Sequence, residues 1–132
     1  MAGDDDLTGI WNGLYTYQDG RTTPFVATLI DCGGAFSGTT HEASTFPPDS
    51  AGITLYASLD GVRRAAAVTF VKSYEHPDAF HREPIHYEGA LNGDRTEIEG
   101  RWTIARVISG KFLMIRSGGR TVAAKRKAFQ KA

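Results

Sequence analysis

The chain of 132 residues carries 15 basic and 15 acidic side chains, with 41% hydrophobic and 23% charged residues. That length predicts one domain able to bury a sizeable core, and the composition excludes wholesale disorder. The zero net charge excludes attraction of the whole surface to nucleic acid or membrane. It is nonetheless a cancellation: residues 117–132 hold Arg120, Lys125, Arg126, Lys127 and Lys131 and no acid, which leaves 10 basic against 15 acidic residues, or −5, on the rest.

The elements follow in chain order. Residues 1–6 form an acidic N-terminal tail containing Asp4, Asp5 and Asp6, the reverse of a signal peptide's basic start and apolar core. Residues 7–116 divide into eight short segments rich in β-branched and aromatic residues: Thr8–Tyr17, Pro24–Asp31, Ala35–Glu42, Ile53–Leu59, Ala66–Tyr74, Ile85–Leu91, Glu97–Ile104 and Lys111–Arg116. Turn signals punctuate them, among them Asp19-Gly20, Gly33-Gly34, Asp60-Gly61, Asn92-Gly93 and Ser109-Gly110. Many segments alternate with period two. In the first, Trp11, Gly13, Tyr15 and Tyr17 share one face; in the seventh, Ile98, Gly100, Trp102 and Ile104 do. No segment before residue 117 has a helical period. Consecutive strands joined by short turns predict an all-β fold, an eight-stranded antiparallel up-and-down barrel, with an open sandwich as the competing architecture.

Two connections are longer, residues 43–52 and 75–84. They are candidate lids, since loops at a barrel mouth commonly carry function. The second gathers Glu75, His76, Asp78, His81 and Glu83 near His86. These are metal-ligating residue types, but their spacing matches no known ligand pattern, and no metal or cofactor is expected. Cys32, the single cysteine, cannot form an internal disulfide. A neighbouring carboxylate, Asp31, disfavours its thiolate. These features predict a cytoplasmic protein. No apolar run is long enough for a membrane helix. The basic segment 117–132 contains helix formers over residues 123–128, and Val122 and Phe129 would share a helical face. A helix docked on the barrel and a solvated basic extension are both open.

Four pieces carry a family resemblance: Leu7-Thr8-Gly9-Ile10-Trp11, Gly34-Ala35-Phe36-Ser37-Gly38-Thr39, Ile98-Glu99-Gly100-Arg101-Trp102 and the final Met114-Ile115-Arg116. The chain resembles the calycin barrels, which include the lipocalins, the fatty-acid-binding proteins and the avidin-like proteins. The resemblance implies that Trp11 and Arg116 are a structural signature, the guanidinium packing across the indole at one end of the barrel. It implies general small-molecule binding but not biotin. Asn12 lies one place away from the family's asparagine, and Thr40 and Glu42 stand where the family has tyrosine and threonine.

Period two also nominates a ligand site. If Trp11 points inward, so do Tyr15 and Tyr17; if Phe70 does, so do Lys72 and Tyr74; if Leu91 does, so does Tyr87. Aromatic bodies with a few polar tips suit a small, partly apolar ligand. The competing reading has the tyrosines plugging the barrel and Lys72 reaching out to water. The sequence therefore predicts a small-molecule binding protein contacting its ligand through Tyr15, Tyr17, Lys72, Tyr74 and Tyr87. The alternatives are a structural or interaction module with the barrel as scaffold, self-association included, and an enzyme using Lys72 or Tyr74 as acid or base. No nucleophile elbow or phosphate-binding loop supports catalysis, so a non-enzyme is the expectation.

Overall fold

A computed structural model describes residues 6–43, 53–75 and 83–117. Alternation organises it. In the second strand Thr23, Phe25, Ala27, Leu29 and Asp31 are buried while Pro24, Thr28 and Ile30 face solvent. Eight strands form: β1 (Gly9–Thr16), β2 (Thr22–Cys32), β3 (Ala35–Ala43), β4 (Thr54–Arg64), β5 (Ala67–Tyr74), β6 (Ile85–Leu91), β7 (Glu97–Ile104) and β8 (Ile108–Arg116). Each pairs antiparallel with its neighbour in the chain, and β8 returns to β1 with Leu113 opposite Leu14 and Trp11 opposite Arg116. The result is a closed eight-stranded up-and-down barrel with no unpaired edge. No helix among the described residues is long and apolar enough to cross a membrane. The basic segment beyond Ser117, for which the sequence leaves a docked helix and a solvated extension both open, lies outside the described residues.

The turns are only partly where the sequence places them. Gly33 and Gly34 form the two-residue β2–β3 turn with φ of 69° and 103°, as two-residue hairpins require. Asp60-Gly61, however, is not a turn. Strand β4 runs through it to Arg64, and the reversal falls at Ala65-Ala66, with Ala65 at φ 53°. Gly61 is there for space: a Cβ on it would come within 2.5 Å of Phe70 Cβ and 2.7 Å of Phe36 Cζ. Ser109-Gly110 likewise sits inside β8. The β7–β8 turn is residues 105–107, with Ala105 and Arg106 at φ 51° and 61°. Gly110 lies against the Trp102 indole, whose Nε1 would be 2.6 Å from an added Cβ.

One end of the barrel is sealed by apolar and backbone contacts. Leu7 and Trp11 are fully buried, and the indole Nε1 donates to Leu7 O at 3.0 Å. The Arg116 guanidinium lies 4.5 Å from the Trp11 ring centroid and donates to the carbonyls of Asp6 (2.9 Å), Thr8 (3.1 Å) and Arg95 (3.2 Å). Beside it, the Asp31 carboxylate accepts from the Leu7 and Gly34 amides and from Arg63. Burial alone would raise the Asp31 pKa, but these donors prevail and hold it below the ordinary aspartate value. Above this base the interior is filled by aromatic rings. Tyr87 stacks on Phe70 at 4.5 Å, with Phe112 edge-on to both.

Candidate functional site

The opposite end of the barrel is built differently. Strand β3 buries Phe36, which fixes its register, and period two then carries Thr40 and Glu42 inward. Strand β5 buries Val68 and Phe70, and the same rule carries Lys72 inward and leaves Tyr74 half-buried. Strand β1 supplies Tyr15. A carboxylate and an ammonium are thereby delivered into an apolar interior, where each alone would be very unfavourable.

They meet. Lys72 Nζ lies 2.6 Å from Glu42 Oε1, with side-chain exposures of 1% and 2%. Two phenols complete the carboxylate's shell: Tyr15 donates to Oε2 at 2.5 Å and Tyr74 to Oε1 at 3.0 Å. Aromatic faces surround the ammonium, whose nitrogen is 4.9 Å from the ring centroids of Tyr15, Phe25 and Tyr74. This is the geometry in which cations are held by π-systems. Lys72 therefore does not reach out to solvent: the partner is inside, so the charge stays inside.

Above the pair lies an aromatic rim. Tyr17 packs edge-on against Tyr15 at 5.7 Å and Trp102 at 5.4 Å, and the Arg21 guanidinium covers the Tyr17 ring at 4.5 Å. Trp102 is fixed by its Nε1, which donates to Thr16 O at 3.0 Å. Below the pair, Thr40 is flanked in register by Ala27 and Ala57, and its buried hydroxyl has no hydrogen-bond partner among the described residues.

The electrostatics follow from burial. Desolvation pushes the Lys72 ammonium below its ordinary pKa, and the adjacent Glu42 opposes the shift. Desolvation raises the phenols of Tyr15 and Tyr74, and the Glu42 charge adds to both shifts. Tyr17 is also raised by burial. All three phenols are hydrogen-bond donors at neutral pH.

The structure thus places Tyr15, Tyr17, Lys72 and Tyr74 in one constellation. Tyr87 is deeper, its ring between Phe70 and Phe112, and burial raises its phenol as well. Trp11 and Arg116 lie at the far end. Glu42, Thr40 and Trp102 belong to the site but are absent from the residues nominated by sequence. The Glu42 signal was available: a strand with Phe36 inward must put Glu42 inward, and an inward lysine needs a partner. Connections 44–52 and 76–82 join strands whose ends lie at this end of the barrel. They are outside the described residues, and with them His76, Asp78 and His81. Among the described residues no group of three or more His, Cys, Asp or Glu side chains could hold a metal ion, and Cys32 is exposed.

No protein-family profile matches the sequence, and no curated protein matches it. Solved structures match the fold. A redesigned β-barrel superposes with a TM-score of 0.70 at 11% identity, over 85% of this chain and 92% of the other. A fluorescence-activating β-barrel designed de novo superposes with a TM-score of 0.63 at 13% identity, over 89% of this chain and 99% of the other. These likenesses establish a small eight-stranded β-barrel.

Proposed function

We propose that the protein binds a small, partly apolar molecule at the Glu42 end of the barrel, held by Tyr15, Tyr17, Lys72 and Tyr74, with Tyr87 in the aromatic layer beneath them. The observation that carries this reading is the buried Glu42–Lys72 pair with its tyrosine donors. A core needing only stability would do as well or better with apolar residues there. The unpartnered Thr40 hydroxyl beneath the pair adds a polar contact for a ligand that reaches it. The stacking of Arg116 on Trp11 supports the calycin-like reading of the scaffold, within which the polar set suits a ligand other than biotin. The fluorescence-activating neighbour makes an environment-sensitive dye a natural first probe.

The test combines native mass spectrometry of the purified protein with a thermal-shift screen of small amphipathic molecules and such a dye. A ligand at a hundred times its Kd should add about 2.7 kcal/mol of stability. Tyr74→Phe and Tyr17→Ala should each weaken that effect. No co-purified mass, no stabilising compound and no dye response would defeat the reading. They would favour a second one, the barrel as a rigid scaffold, for which the specific observation is the aromatic filling around Phe70, Tyr87 and Phe112.

A further inference from the structure

One apolar cluster lies on the wrong side of the barrel wall. Leu14 on β1 and Leu113 and Ile115 on β8 alternate with the inward Tyr15, Phe112 and Met114, so they point outward. Leu14 sits opposite Leu113 across the β1–β8 seam, with Ile115 two residues further along. An outward leucine or isoleucine on a barrel is ordinarily well exposed, as Ile10 and Ile30 are at 50% and 59%. Yet these three are 2%, 4% and 3% exposed. Their described neighbours in register, Pro24, Glu97 and Glu99, stand beside them in the same layer. All eight strands belong to the barrel wall itself, so no described strand packs on the outer face of this seam.

We infer that the basic C-terminal segment, residues 118–132, covers this strip. The chain leaves β8 beside it: the Ser117 amide donates to Ile10 O at 2.8 Å, one residue from Arg116 and two from Ile115. The segment has 15 residues, enough to span about 22 Å even as a helix, whereas Ile115 to Lys111 covers about 14 Å of strand. It carries the apolar Val122 and Phe129 at a seven-residue spacing that places them on one helical face. Its five cations and lack of acids complement Glu97 and Glu99, which flank the strip on β7; Arg101 and Lys111 lie on the same outer faces toward the Glu42 end. The segment therefore lies over the half of the seam nearer Trp11. The other stretches fit poorly. Residues 44–52 and 76–82 join β3 to β4 and β5 to β6, away from the seam, and residues 1–5 contain two aspartates and no basic side chain, the wrong sign for the acids that flank the strip.

The test uses the full chain and a Val122→Asp/Phe129→Asp variant, which leaves the barrel sequence untouched. A segment held on the strip is protected from trypsin at Lys125, Arg126 and Lys127, because cleavage tracks the open population. Cleavage there should be at least about tenfold slower in the wild type than in the variant. The variant should gain binding of an apolar-surface dye, and rising salt should bring the wild-type rate toward the variant's. Equal cleavage rates and equal dye binding overturn the inference. So does a wild type that sediments as a dimer with a trypsin-labile tail, which would assign the strip to a second copy.

Discussion

The Glu42–Lys72 pair permits a quantitative test. At 2.6 Å, and with an effective dielectric constant near 20, the two charges attract by about 6 kcal/mol. Removing both from water opposes this by several kcal/mol per ion, so the net contribution of the pair is small. Losing one partner is different, because the other remains buried and uncompensated. Glu42→Gln and Lys72→Met should each cost about 3–5 kcal/mol, against a total stability of about 5–15 kcal/mol for a domain. The double variant should cost less than either single one: Met fills the lysine's volume, and Gln retains an oxygen to accept from Tyr15. Urea unfolding with an m of about 2 kcal/mol/M would place each single variant about 1.5–2.5 M below the wild type, with the double variant partly restored. The cycle should give a coupling of at least about 2 kcal/mol. If the double variant instead loses the sum of the singles to within about 0.5 kcal/mol, the two groups do not form a buried pair, and the site as described is wrong.

Three further outcomes are expected. Tyr15 and Tyr87 keep protons in the folded state that the unfolded chain releases above about pH 10, so stability should fall above that pH by up to about 1.4 kcal/mol per pH unit for each. Lys72, with its pKa lowered, works in the opposite sense only below the ordinary lysine value; phenolate absorbance followed through alkaline unfolding checks this, and phenolates appearing in the folded barrel would contradict it. Ala65→Gly relieves a left-handed residue and should stabilise by about 0.5–1 kcal/mol, measured as a higher denaturant midpoint. Gly61→Ala, despite lying in an Asp-Gly pair, should destabilise by about 1–3 kcal/mol, because its Cβ would meet Thr69 O and the Phe70 side chain; an unaffected midpoint would show that the strand can move aside.

Much of the fold was legible because period two is a property of the chain itself. Alternation alone sets Trp11, Tyr15, Phe70, Lys72, Tyr87 and Leu91 on common faces, and short connections between eight such segments leave few ways to pair. The sequence also fixes the opposition between a −5 body and a +5 tail. Closure was a tertiary decision: only the barrel brings β8 back to β1 and so stacks Arg116 on Trp11. Gly61 and Gly110 have the composition of turns, yet the packing of Phe36, Phe70 and Trp102 claims them for strands, while Ala65 and Ala105 bend with no composition signal at all. The site divides in the same way. Alternation points Lys72 inward, but residues 42 and 72 lie on non-adjacent strands, and only the curvature of the wall brings them to 2.6 Å and makes the inward lysine a caged, buried cation.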